Sequence, residues 1–335
     1  MDQRPNHIGV IGGGAWGTAL ACLAGRAGAE VTLWAREPEV VESINRDREN
    51  VLFLPGIALE QAIEATGDIA EAMRADILLL VSPAQALREV CRSMASHLRP
   101  RTPIVICAKG LERGTNKLMT DVLVEVLPEA EPMVLSGPSF AADVARGLPT
   151  AVTLAARTHD DALAVARTLA GPTFRPYVAA DLVGAQIGGA VKNVLAIACG
   201  IAEGRGLGES ARASLMTRAF AELVRFGKTF GARAETLSGL SGLGDLMLTC
   251  SSQQSRNMSL GFALGRGQSV DDVLGSRRSV SEGVYTAGVV VALAAERDID
   301  MPISRAVHDI VEGRITIDQA IEDLFNRPLK AETET

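Results

Sequence analysis

The sequence has little that would place it outside a reducing interior. Its five cysteines, Cys22, Cys91, Cys107, Cys199 and Cys250, form an odd set without CxxC or CxxH spacing. That pattern argues against a disulfide framework and against a zinc site, so a reducing compartment and no metal are expected. Positive charge is not in excess: 33 Lys and Arg stand against 40 Asp and Glu, a formal charge of −7. Neither nucleic acid nor an anionic membrane surface is therefore expected as the main partner, and an anionic ligand has to be held locally. No uncharged stretch approaches the roughly 18 to 20 residues of a membrane span. The opening MDQRPNHIGVIGGG lacks a cationic segment followed by an apolar one, so a cytoplasmic chain without integral membrane association is expected. There is no repeat of fixed period. None of the four histidines, His7, His97, His159 and His308, sits in a motif, which leaves them structural or solvated.

What is present is length and alternation. At 335 residues the chain exceeds one ordinary core, and its pattern changes character near residue 180. The expected fold is α/β: an N-terminal Rossmann-like doubly wound sheet over 1–180, an all-helical C-terminal domain over 181–327, and a disordered tail over 328–335. The stretch HIGVIGGGAWGTALACLAGRAGAEVTLWAR reads as a strand at Ile8–Ile11, a glycine turn, a helix from Trp16 to Ala27, and a strand from Val31 to Trp34. Gly12, Gly14 and Gly17 satisfy GxGxxG. The first permits a tight turn, the second lets a pyrophosphate approach the backbone, and the third lets the helix pack closely on its strand. The helix N-terminus adds amides and partial positive charge, so a dinucleotide is the expected cofactor. Where an acid would bind the adenine ribose hydroxyls the chain has Ala35–Arg36. Arginine suits a 2′-phosphate, so NADP is expected to be accepted at least as well as NAD. The alternative is a solvated Arg36 with Glu37 on the ribose.

Further strands are expected at Ile77–Val81, Ile104–Ala108, Val134–Ser136 and Ala151–Ala155, with helices at Leu87–Ala95 and Lys117–Val126. Ligands in such folds gather at the C-terminal strand ends. There the sequence places VSPAQA, AKGLERGT and SGPSFAADVARG. Lys109 can meet an anion or be solvated. Ser139 begins a helix whose free amides can bind an anion, or it is a plain N-cap.

After Asp181 helical patterns take over: Asp181–Glu203, Ala211–Phe230, Ser255–Leu264, Gly283–Arg297 and Pro302–Glu312. The first carries GGAVKNVLAIACG, in which Lys192 stands among small and apolar residues. Either its ammonium snorkels to water along an apolar stem or it has a chemical task. Gly188 and Gly189, four and three residues earlier, leave room for a ligand or for a neighbouring helix. The segment SGLSGLGDLMLTCSSQQSRNMS reads as an irregular loop bringing Asp245, Ser255, Arg256 and Asn257 to a substrate. In SVSEGVYTA, Glu282 begins a helix, where capping alone can account for it.

Taken together, GGGAWGTAL, Lys109–Gly110, SGPSFA, GGAVKN, GLGDLMLTC, SRN and SEGVYTA resemble bacterial NAD(P)-dependent glycerol-3-phosphate dehydrogenase, in order and rough spacing from residue 8 to about 325. The resemblance implies reversible hydride transfer between NAD(P)H and dihydroxyacetone phosphate, a small phosphorylated three-carbon substrate, giving the backbone precursor of phospholipids. It implies Lys192 as catalytic acid/base. Lys109, Gly137, Ser139, Asp245, Ser255, Arg256 and Asn257 would contact substrate. Ala15, Trp16, Arg36, Lys109, Ala141, Arg256, Val280 and Glu282 would line the dinucleotide, and a homodimer is the expected assembly. Ala15 stands where many relatives have serine, so a hydroxyl bond to the pyrophosphate is lost while backbone contacts are not. The alternatives are a β-hydroxyacid-type dehydrogenase, whose lysine and asparagine are spaced several residues apart rather than adjacent as Lys192 and Asn193 are, and a non-catalytic NAD(P)-sensing protein.

Overall fold

The structure, a computed structural model, describes residues 6–275, 281–329 and 331–332. The chain divides into two compact units, one of residues 1–108 and 118–182, the other of 109–117 and 183–335.

Among the described residues the first unit is built on ten strands: β1 (His7–Ile11), β2 (Glu30–Trp34), β3 (Glu49–Asn50), β4 (Leu54–Ala58), β5 (Ile63–Thr66), β6 (Ile77–Leu80), β7 (Pro103–Ile106), β8 (Glu131–Ser136), β9 (Thr150–Ala155) and β10 (Phe174–Ala179). Eight of them form one sheet in the order β10-β9-β8-β7-β6-β1-β2-β5, and β3 with β4 makes a separate hairpin. From β8 to β5 every pairing is parallel, and β9 meets β8 antiparallel. The central strands have the composition this requires. β6 is ILLL with every residue buried, as expected of a parallel strand covered on both faces. The helices of this unit are α1 (Ala15–Arg26), α2 (Pro38–Asp47), α3 (Ile69–Ala72), α4 (Leu87–Met94), α5 (Met119–Val126), α6 (Ala141–Ala145) and α7 (His159–Leu169). α1 buries everything from Gly17 to Ala24, and its small side chains let it lie close on the sheet.

The second unit is helical: α8 (Leu182–Gly204), α9 (Glu209–Thr229), α10 (Ala234–Leu237), α11 (Asp245–Cys250), α12 (Arg256–Gly265), α13 (Val270–Gly275), α14 (Glu282–Glu296), α15 (Pro302–Val311) and α16 (Ile317–Phe325). α8 is long and apolar enough to cross a membrane by length and composition, yet 89% of its most apolar window is buried in the protein. Val194, Ile197 and Ile201 on it join Leu260 and Leu264 on α12 and Val307 on α15 in one core cluster. The α8/α12 crossing is made by glycine. A Cβ on Gly200 would lie 2.1 Å from the Met258 carbonyl oxygen, and one on Gly261 2.0 Å from that of Ile197, so any side chain there would force the backbones apart.

Two expectations are corrected here. The glycine-rich run before Asp245 is helical: Leu240–Gly244 forms a π-helical turn leading into α11, closed by the Gly244 amide donating to the Gly239 carbonyl at 3.0 Å. Its glycines serve close packing, because a Cβ on Gly242 would fall 1.9 Å from the Leu237 carbonyl oxygen. Ser139 does not begin a helix. α6 starts at Ala141 with Phe140 before it, and the Ser139 hydroxyl donates to the Gly137 carbonyl at 3.0 Å. Val280 lies outside the described residues, as do 330 and 333–335 of the expected tail.

Candidate active site

The turn between β1 and α1 presents bare backbone. Gly12 has φ +131°, a conformation that favours glycine. A Cβ on Gly17 would stand 1.9 Å from the Gly12 carbonyl oxygen, whereas one on Gly14 would meet nothing within 4 Å. The second glycine thus borders open space and the third makes a backbone contact. No side chain caps α1, which leaves its N-terminal amides to a ligand. Ala15 and Trp16 occupy its first turn, and the Trp16 Nε1 is buried without a partner among the described residues. These features fit a dinucleotide pyrophosphate. Sequence reasoning missed Asn50, which is fully buried. Its amide donates to the Gly13 carbonyl and the Thr18 hydroxyl, both at 2.8 Å, and accepts from the Phe53 amide at 3.1 Å. It holds the turn in shape, and nothing around it in the sequence signals that role. Arg36, just past β2, is 81% exposed and pairs with Glu37 at 3.0 Å. Gly137 follows β8 at φ +147°, where its bare α-carbon lies against Val152.

The second unit assembles a buried ionic cluster. Lys192, at mid-helix in α8, donates to Asp245 Oδ1 at 2.5 Å and to the Thr249 hydroxyl at 2.8 Å. Lys109 donates to the other carboxylate oxygen of Asp245 at 2.7 Å. Side-chain exposures of 8%, 1% and 17% for Lys192, Asp245 and Lys109 put the three charges in a site of low dielectric, with a formal excess of one positive charge. Gly188 explains how Asp245 comes so near. A Cβ there would lie 2.4 Å from the Ser241 carbonyl oxygen, so the room beside Lys192 admits the π-helical turn that precedes Asp245. Desolvation lowers the Lys192 pKa to about 8; the Asp245 carboxylate opposes the shift and the Lys109 charge adds to it.

Around this cluster runs an amide chain. Asn193 donates to the Lys109 carbonyl at 2.9 Å, Asn257 donates to Asn193 Oδ1 at 2.9 Å, and Asn257 Oδ1 accepts from the Gly283 amide at 3.0 Å. The segment Lys109–Lys117 packs with the helical unit although both its flanks belong to the other, and Arg113 stacks 5.4 Å over Tyr285. Ser255 caps α12 by accepting from the Met258 amide at 3.2 Å. Arg256 is exposed in the first turn of that helix and within electrostatic reach of Glu282. Of the expected site residues, Lys109, Lys192, Asp245 and Asn257 therefore converge, with Thr249 and Asn193 as additions. Thr249 stands in the quoted GLGDLMLTC motif one helical turn after Asp245, a spacing that signals a shared face.

A mostly parallel sheet with a bare glycine turn after the interior strand β1, joined to a helical unit holding a lysine of lowered pKa, defines the class of Rossmann-type dehydrogenases. Family models bear on which one. The model described as the NAD-dependent glycerol-3-phosphate dehydrogenase N-terminus matches residues 7–162, and that for the C-terminus matches 181–322. The glycerol-3-phosphate dehydrogenase (NAD(P)+) of Parvibaculum lavamentivorans is 58% identical over 99% of this chain and 100% of its own. That of Rhodospirillum rubrum is 59% identical over 99% and 95%. The crystal structure of a Coxiella burnetii glycerol-3-phosphate dehydrogenase superposes with a TM-score of 0.92 at 37% identity, covering 96% of this chain and 99% of that one. The chain belongs to the NAD-dependent glycerol-3-phosphate dehydrogenase family.

Proposed function

We propose that this chain reversibly converts dihydroxyacetone phosphate and NAD(P)H to sn-glycerol 3-phosphate and NAD(P)+, supplying the backbone of phospholipids. When bound, the dinucleotide supplies or accepts the hydride. The residues do the rest. The observation that carries the reading is the Lys192–Asp245–Lys109 cluster. Its surplus positive charge, shielded from water, favours the negative charge that develops on a carbonyl oxygen as hydride reaches its carbon. Lys192, with a pKa near 8, gives its proton to that oxygen in reduction and takes it back in oxidation. Asp245 and Thr249 hold the ammonium in one orientation, and Lys109 adds a second positive charge.

Arg256 provides the charge for the substrate phosphate, aided by the amides of the first turn of α12. Asn257 acts less directly than the family pattern implies, because its side chain is already bonded to Asn193 and Gly283. Backbone at Gly12, Gly14 and Gly17 holds the pyrophosphate, and Arg36 reads a 2′-phosphate, so both NADP and NAD serve. The N-terminal unit is proposed as the dinucleotide-binding domain and the helical unit as the substrate domain. A cytoplasmic setting suits five buried free thiols, two of which, Cys22 and Cys91, burial pushes up to about 12. A homodimer is the proposed assembly, checked by light scattering.

The test is consumption of NADPH and NADH with dihydroxyacetone phosphate and with dihydroxyacetone, on wild type and Lys192→Met. Turnover should require the phosphate, since remote binding energy orients the carbonyl. Lys192→Met should fold, bind cofactor, and lose about 100-fold or more of kcat. Near-normal turnover by that variant would refute the assignment.

A further inference from the structure

A buried hydroxyl with nothing to bond lies one strand away from the glycine turn. Ser82, two residues past the end of β6, is 5% exposed, and its Oγ has no hydrogen-bond partner among the described residues. Its backbone is held in place: the Val81 amide donates to the Ile11 carbonyl at 2.9 Å. A Cβ on Gly12 would lie 3.0 Å from the Val81 carbonyl oxygen and 3.3 Å from the Ser82 nitrogen. Pro83 follows at φ −54°, ψ 146°, and a proline keeps the residue before it extended. The hydroxyl is left with rotation about χ1 among three staggered wells. Buried polar groups in folded proteins nearly always find partners, and a ligand is one way to supply the missing one.

The sheet order says which part of a ligand that is. β2 and β6 flank β1 on opposite sides, with Arg36 just past β2 and Ser82 just past β6. A dinucleotide with its phosphates on the turn after β1 sends one half toward each flank, across neighbours spaced about 4.8 Å apart. With the adenosine half toward Arg36, the other half falls toward Ser82.

We propose that Ser82 is a cofactor-binding residue whose hydroxyl hydrogen-bonds the nicotinamide-riboside half of NAD(P)H. The assignment rests on the proposed function. A hydroxyl both donates and accepts, as ribose hydroxyls and a carboxamide require. The contact is indifferent to the 2′-phosphate, which lies on the other half.

Ser82→Ala tests it by calorimetric titration of the full-length protein with NADH, NADPH and ADP, the last lacking the nicotinamide riboside. NADH and NADPH should each bind about 5- to 10-fold more weakly, ADP should bind as to wild type, and the unfolding midpoint of the ligand-free protein should stay level or rise. Undiminished NADH affinity would overturn the proposal. Equal weakening of ADP would instead mean damage to the glycine turn, and a lowered ligand-free midpoint would mean that Ser82 has a partner within the protein; either overturns it too. Failure of wild type to bind NADH at all would overturn the proposed function and this assignment together.

Discussion

Replacing Asp245 by asparagine keeps the shape of the carboxylate and removes its charge from between two ammonium groups. In wild type the contacts are 2.5 Å to Lys192 and 2.7 Å to Lys109. Charge centres about 4 Å apart interact by about 4 kcal/mol at the effective dielectric of about 20 suited to such sites. That is close to three pK units, and relaxation of the site reduces it, so the Lys192 pKa should fall by about 1 to 3 units. The direction is unambiguous, because the desolvation and the Lys109 charge that already lower it to about 8 both remain. With Lys192 as the proposed acid, reduction uses the protonated lysine, so its rate should be full below this pKa and lost as pH rises through it, and oxidation should behave oppositely. Near pH 7 about nine-tenths of Lys192 is charged at a pKa near 8, and about a tenth at a pKa near 6. The kcat for reduction should thus drop about tenfold near neutrality from protonation alone and recover on acidification toward about pH 5.5. Steady-state profiles of kcat against pH in both directions are the assay. Profiles of Asp245→Asn and wild type with the same inflection, or a loss that acid does not restore, would refute the coupling of these groups.

Arg36→Ala should weaken NADPH by about 1 to 3 kcal/mol and NADH little, and equal losses in titrations of the two cofactors would show that Arg36 does not read the 2′-phosphate. Glu222, buried beneath α15, accepts from the Ile303 amide at 2.6 Å and from the Ser304 amide and hydroxyl at 3.1 and 2.9 Å. Desolvation nevertheless raises its pKa from 4.5 to about 7, against those bonds and the Arg225 charge. The fold then holds this proton more tightly than the unfolded chain does, so its stabilisation is full below about pH 4.5 and fades as pH rises through 7, by roughly 3 kcal/mol. Glu222→Gln should flatten that slope in denaturant unfolding between about pH 5 and 8, and parallel slopes in the two proteins would sink the idea. Gly261→Ala should cost about 2 kcal/mol or more in the same assay, because its Cβ would overlap the Ile197 carbonyl; an unchanged midpoint would mean that the α8/α12 crossing yields easily.

The parts of this molecule that can be read in the sequence are those whose signal is local. The β1 turn is one: three glycines at fixed spacing between an apolar strand and a small-residue helix leave few other structures. α8 is another, since its 23 residues sustain one pattern throughout. Asp245 is harder to place, because Gly239, Gly242 and Gly244 look like helix breakers in sequence, whereas in space Gly242 gives clearance for the Leu237 backbone. β10, FRPYVA, alternates weakly because it lies at the sheet edge, where a proline and exposed side chains are tolerated. Asn50 and Asn193 act by donating to distant backbone carbonyls, those of Gly13 and Lys109, which no sequence spacing records. The unfilled hydroxyl of Ser82 is likewise a property of its surroundings.

The two family models meet in linear order, one ending at 162 and the other beginning at 181, which invites treating the helical half as a cassette that can be cut out and moved. The membership of Lys109–Lys117 forbids that. A fragment beginning at 183 would keep Lys192, Asp245 and Thr249 but lose Lys109, one of the two cations on the Asp245 carboxylate. It would also leave the Asn193 amide without the Lys109 carbonyl as acceptor and Tyr285 without its arginine. The helical unit is thus discontinuous in the gene and complete only when the chain that makes the sheet has passed through it. Recombination between relatives at the apparent boundary exchanges most of one unit while leaving nine residues of it behind, so chimeras inherit their second ammonium from the parent that supplied the sheet.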